Sequence, residues 1–290
     1  MSCGSHASFR SFLTAFGLSL LIASPACRAD QPTPAATAAF NAYAHDVEAR
    51  LAQQHRDAGG FLPTVTASPD RQARLRRGEL IVEQLTPTAG TALQGALLHH
   101  WRGTAFAPGA TAADFERLMR DVDGYPQYFS PEVLRARVLQ REGDRLQISM
   151  RVRQHHVLTV VMDTTYEVTL GRRNAAQVYS LARSTHVAEL SAPGTPQEHM
   201  LSDRDAHGFL WRIDTYWTCE ERDGGLYLQV ESVSLTRSIP HGLGWVVEPF
   251  VQSIPRESLE FTLHSTCNAL RRSNRTFTSG RVDSALNSPR

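Results

Sequence analysis

Twelve histidines in a chain of 290 residues invite a metal reading, and their spacing argues against it. His99-His100 and His155-His156 are adjacent within stretches that read as strands, so each pair points to opposite faces and cannot share one ion. Neither an H-x-x-x-H nor a C-x-x-C spacing occurs. All thirty Lys+Arg residues are arginine, which excludes a pyridoxal Schiff base, a P-loop lysine and a lysine base within this chain. Gly242-Leu243-Gly244 lacks the third glycine of a dinucleotide fingerprint and follows a stretch that reads as an antiparallel hairpin rather than a βαβ unit. A G-x-S-x-G nucleophile elbow is also missing. The polar side chains left to orient a ligand or move a proton are His99, Arg102, Asp163, His186, Asp214 and Glu231. Each reads equally well as a solvated strand position or half of a cross-strand ion pair, and Arg212 and Asp214 are expected to be exposed. No metal and no cofactor is expected.

Aromatic residues are the more telling set. Trp101, Tyr128, Phe129, Tyr166, Trp211, Trp217 and Phe250 fall on elements that share one interior if the chain folds as a sheet closed by a helix. Singly, each serves as ordinary core packing. Together they have the composition of a small-molecule cavity, mostly apolar with a few polar hooks.

The elements that must hold them follow from periodicity. From Pro255 onward, Leu259, Leu263, Thr266, Cys267 and Leu270 lie on one helical face. The whole stretch from Ile239 to Arg272 reads as a Pro-interrupted helix, with Gly242, Gly244 and Pro249 as a hinge at its entry. Upstream, Ala92 to Phe106 reads as one strand, Thr111 to Asp114 as a near capping box, and Phe115, Leu118, Met119 and Val122 as the buried face of the helix it starts. Six further strands are expected between Val133 and Arg237. Asp223-Gly224-Gly225 marks the tight turn before the last of them. Residues 191–207 form a long connection, read either as a lid or as a disordered insertion. Cys219 and Cys267 both fall on inward faces and form either one disulfide or two buried free thiols.

Arg10 followed by FLTAFGLSLLIA and small residues reads as an export signal, cleaved after Ala26 or Ala29; Cys27 raises a weaker lipoprotein alternative. Residues 1–29 are thus expected to be a signal peptide, 30–88 a helical N-terminal extension, 89–272 the main domain and 273–290 a disordered tail. In the extension, Phe40, Tyr43, Val47 and Leu51 define one amphipathic helix, and Ser68-Pro69-Asp70 starts another that Gly78 stops. A net charge of +1 argues against a dedicated nucleic-acid surface.

The order strand, two helices, six antiparallel strands and long C-terminal helix resembles the SRPBCC superfamily, which includes START lipid-transfer domains, pollen-allergen-like carriers and polyketide cyclases. HHWRGTAF, ATAADFERLMRDVDGYPQYF, HGFLWRIDTYW and SLTRSIPHGLGWVVEPFVQSIPRESLEFTL carry the resemblance, which spans about Gly95 to Arg272. It implies an α+β helix-grip fold, in which a curved antiparallel sheet of about seven strands wraps around the last helix and leaves a deep apolar cavity. No catalytic set follows from it. The expected function is an exported binding protein for a lipid-, sterol- or polyketide-like molecule, with peripheral or transient membrane contact. A cyclase/aromatase-type enzyme using the same cavity, and a structural module with a filled interior, are the alternatives.

Overall fold

The computed structural model describes residues 31–57, 60–66, 68–86, 91–93, 95–155, 159–238 and 254–272. The proposed leader, the hinge at Gly242, Gly244 and Pro249, the side chain of Phe250 and the C-terminal tail lie outside them.

Three helices come first: α1 (Pro34–Arg56), α2 (Pro63–Thr66) and α3 (Pro69–Arg76). Thr33 caps α1 by accepting a hydrogen bond from the Ala36 N–H, and Ser68 caps α3 through the Arg71 N–H. The strands are β1 (Ile81–Gln84), β2 (Thr91–Leu93), β3 (Ala96–Pro108), β4 (Val133–Glu142), β5 (Arg145–His155), β6 (Thr159–Asn174), β7 (Gln177–Ser191), β8 (His199–Met200), β9 (Arg212–Arg222) and β10 (Gly225–Arg237). Between β3 and β4 lie α4 (Ala112–Arg120) and α5 (Tyr125–Tyr128). The expected capping box is present: Thr111 and Asp114 exchange side-chain to backbone hydrogen bonds. A last helix, α6, spans 254–272.

All strand pairs given in register are antiparallel, in the order β1-β3-β10-β9-β7-β6-β5-β4, with β2 on β3 and β8 on β7. The β9–β10 turn takes positive φ at both Asp223 and Gly224, as a tight primed turn demands. On the inner face, α6 packs so closely that a Cβ on Gly103 would lie 2.6 Å from Leu263 Cδ1 and 3.1 Å from Leu259 Cδ2. Leu259, Leu263, Cys267 and Leu270 join Trp101, Trp217, Phe115 and Leu228 in one buried cluster. This sheet gripping its C-terminal helix is a helix-grip fold of the α+β class.

The structure departs from the sequence reading in four places. The stretch Ala92 to Phe106 is two strands, because Gly95 adopts φ +75° and turns the chain between β2 and β3. Three short strands, β1, β2 and β8, raise the sheet from about seven strands to ten. Through β1, paired with β3 from Ile81↔Thr104 to Gln84↔Trp101, the N-terminal extension is part of the sheet itself. Residues 192–211 form an arm tied to the sheet by pairing and hydrogen bonds. β8 pairs with β7, and Glu198 accepts hydrogen bonds from the Gly194 N–H and from Arg151.

Candidate functional site

The inner layer is built from alternate residues of the strands. Trp101 and Ala105 of β3, Leu228 and Val230 of β10, Trp217 of β9, Tyr166 of β6 and Ile148 of β5 face α6 or α4. The rings of Phe115 and Trp217 lie 5.6 Å apart, and those of Tyr125 and Phe129 meet edge to face at 5.3 Å. Burial pushes the Tyr166 hydroxyl up to about 12, so it stays protonated. Four of the seven aromatic candidates, Trp101, Phe129, Tyr166 and Trp217, therefore meet in one cluster, and Tyr128 packs on its edge with its hydroxyl donating to Asp121.

Two polar atoms in this layer stand out. Trp101 Nε1 and Thr266 Oγ1 are buried and have no hydrogen-bond partner. Thr266 lies at the centre of the α6 stripe between Leu263 and Leu270, and it is fully buried. Leaving a buried donor unmet costs about 1–3 kcal/mol. His99, two residues from Trp101 on the same face, is also buried, and its Nε2 lies 3.3 Å from the Thr236 hydroxyl. Desolvation holds the His99 imidazole below its usual range, hence neutral. Cys219 and Cys267 are free thiols, which is the second of the two sequence readings. Burial, and for Cys219 the neighbouring Cys267, raises the Cys219 thiol well above its ordinary value; burial also raises Cys267, to about 11. Neither is a nucleophile at neutral pH.

The outer face holds what sequence reasoning missed. The α1 helix lies across it, packing Phe40, Ala44, Val47 and Leu51 against Ala96, Leu98, Tyr216, Val233 and Leu235. Beneath α1 sits a buried polar network centred on Glu231, which is fully buried and bonded to Arg50, to His100 Nε2 at 2.9 Å and to Arg102 Nε at 3.1 Å. Tyr43 of α1 completes it, its hydroxyl 3.0 Å from His100 Nδ1. Burial alone would raise the Glu231 carboxyl; the His100 hydrogen bond and the charges of Arg102 and Arg50 outweigh it and hold it at about 2. Nearby, His55 stacks on Tyr179 at 4.3 Å and meets the Thr218 hydroxyl at 2.9 Å.

This outer cover corrects several sequence-based placements. Asp214 is buried, not exposed: its carboxylate accepts from the Ser184 N–H, and burial pushes it up to about 6. Trp211 precedes β9, so the strand alternation does not reach it, and it packs with the outer cluster. His186 is exposed because β7 carries an extra residue at Thr185, a bulge that shifts its facing partner from Thr164 to Thr165. Asp163 is held by Arg151 through two hydrogen bonds of 2.7 Å, and Arg102 is committed to Glu231. Of the polar candidates, only His99 shares a face with the aromatic cluster. Glu132, between α5 and β4, was unforeseen: burial pushes its carboxyl up to about 7, and nothing in its sequence context marks it. Among the described residues no group of three or more His, Cys, Asp or Glu is placed to hold a metal ion.

No family model matches the chain, and no curated protein matches it in sequence. Solved structures similar to it include a STAR-related lipid transfer protein from Xanthomonas axonopodis, at 16% identity over 66% of this chain and 98% of that one, with a TM-score of 0.42. Others are the Zhui aromatase/cyclase from Streptomyces sp. R1128, at 13% over 60% and 94% with 0.42, and a START superfamily protein from Mycobacterium smegmatis, at 15% over 60% and 97% with 0.39.

Proposed function

We propose that this chain is an exported binding protein for a hydrophobic small molecule, lipid-, sterol- or polyketide-like, held between the inner face of the sheet and α6. The observation that carries the reading is the pair of buried, unpartnered polar atoms, Trp101 Nε1 and Thr266 Oγ1, in an otherwise apolar layer. A guest bearing a carbonyl or hydroxyl oxygen accepts from the indole N–H and meets the threonine hydroxyl. Its apolar body gains about 25 cal/mol per Å² removed from water. Native mass spectrometry of gently purified protein tests this: an adduct of apolar character is expected, retained less well by Trp101→Phe. Bare protein in both samples, with no uptake from a lipid extract, contradicts it.

His99 supports a second reading, a cyclase/aromatase-type enzyme using the same layer. A buried, neutral imidazole on the aromatic face is able to accept a proton from a bound polyketide-like substrate. Under that reading His99→Gln abolishes turnover while the adduct and the fold persist; under the carrier reading it changes neither transfer nor binding.

A further inference from the structure

A hollow separate from the inner layer lies between the start of α1, the part of β7 beyond the bulge and the 192–211 arm, with a volume of about 420 Å³. We propose that it is a binding site for a small amphiphilic cation, a molecule that joins one ammonium head to a short apolar body.

The charges in its wall give the sign. Of the residues that line the hollow, the ionisable ones are Glu189, Asp203, Arg212 and His186. Glu189 is 4% exposed; its carboxylate accepts from the His207 N–H at 3.0 Å and the Phe209 N–H at 3.1 Å, and stands 2.8 Å from His207 Nδ1. Asp203 accepts from the Gln31 side-chain amide at 2.8 Å. Neutral N–H donors solvate a carboxylate and favour its ionised form without cancelling its charge. Among the described residues neither Glu189 nor Asp203 has an arginine bonded to it. Arg212 does not supply the balance. Its guanidinium carbon stands 5.2 Å from the centre of the Phe40 ring, and its charge acts on the buried Asp214, where it opposes the rise that burial imposes. A carboxylate as buried as Glu189 is ordinarily met by a counter-charge, and an ammonium head in the hollow provides one.

The rest of the wall suits an apolar body. Trp211, Leu210, Leu201 and Met200 line it, and Met200 is 59% exposed, unusually open for a methionine. An indole attracts a cation as well as an alkyl chain, so Trp211 serves either end of such a molecule. A hollow of this size falls at the lower end of the roughly 300–1,000 Å³ that hold small ligands. Thr37, near the start of α1, lines it as well.

Isothermal titration calorimetry of the full chain with octylammonium tests the proposal, with 1-octanol and octanoate as the uncharged and oppositely charged controls. Saturable octylammonium binding is expected, with both controls at least tenfold weaker. Glu189→Gln combined with Asp203→Asn should weaken octylammonium at least tenfold. Arg212→Met, which removes the arginine charge from the wall, should keep or tighten the affinity. Thr37→Trp, which fills the hollow and leaves both carboxylates in place, should abolish binding even if the double variant proves poorly folded by circular dichroism. Trp101→Phe should leave octylammonium affinity unchanged, and Thr37→Trp should leave the apolar adduct of the inner layer in place, so the two sites stand or fall separately. Octylammonium binding that is undetectable, that either control matches, that survives both Thr37→Trp and the double variant, that falls tenfold in a folded Arg212→Met, or that is lost with Trp101→Phe overturns the proposal.

Discussion

On the inner face of the sheet, α6 meets the strands through leucines over a glycine, with two polar atoms left unmet. On the outer face, α1 meets the same strands through Phe40, Val47 and Leu51, but also through Arg50, Tyr43, Glu48 and His55, each bonded to a named partner on the sheet. Directional bonds fix register, because a helix displaced by one turn takes Arg50 away from the buried Glu231 and Tyr43 away from His100. Apolar contact does not. On the proposed function, the outer interface holds the fold together and the inner one holds the guest.

The comparison breaks most sharply at Glu231. Removing the carboxylate in Glu231→Ala leaves Arg50, Arg102 and His100 facing an empty position, and a loss of about 3–5 kcal/mol in urea unfolding is expected. Phe40→Ala and Leu263→Ala then compare the two helices directly. Phe40→Ala should fall near the upper end of the range for its type, about 3–5 kcal/mol, and Leu263→Ala near the lower end of about 2–5 when the guest proposed for the inner layer fills part of the space left. Equal losses would remove the distinction. Gly103→Val presses a side chain into Leu263 and should cost about 1–3 kcal/mol, read also as faster maleimide labelling of Cys267 as α6 is pushed off the sheet.

The smallest expected effect concerns pH. Burial first, and then the charge of Arg50, lowers His55 from 6.5 to about 4. A lowered histidine contributes stability that is present above its unfolded value of about 6.5 and is lost as pH falls toward about 4. Glu231 behaves as a depressed carboxylate, with stability present above about 4.5 and lost as pH falls toward about 2. Asp214, pushed up to about 6 on the same face, works the other way and offsets the His55 loss between about pH 6 and 4, so amide exchange in α1, corrected for intrinsic rates, should accelerate most as pH falls from about 4.5 toward 2 while α6 stays protected. Both helices loosening together would contradict the separate roles given to them.

Much of the frame was legible in the residues. The strand alternation, the Thr111 capping box, the Asp223-Gly224 turn and the α6 stripe each rest on local periodicity or turn chemistry, and each is where the sequence places it. What sequence could not supply is which surface an amphipathic stripe covers. Phe40, Val47 and Leu51 announce a buried face but not its partner, so Asp214, covered by α1, read as exposed. His186 shows the other limit: one extra residue at Thr185 reverses the facing of everything beyond it, and no residue type there signals the bulge. Trp211 failed for a related reason, since it sits one residue outside the strand whose alternation was used to place it.

The guest proposed for the inner layer is tested most directly at the Trp101 indole N–H. In isotope-labelled protein, with the resonance assigned through Trp101→Phe, spectra are compared before and after extraction of bound lipid on a hydrophobic resin. A bound acceptor predicts a downfield indole proton that moves upfield on extraction and returns when the extract is added back. An indole resonance that is unchanged through all three states, with no material recovered from the resin, would contradict it.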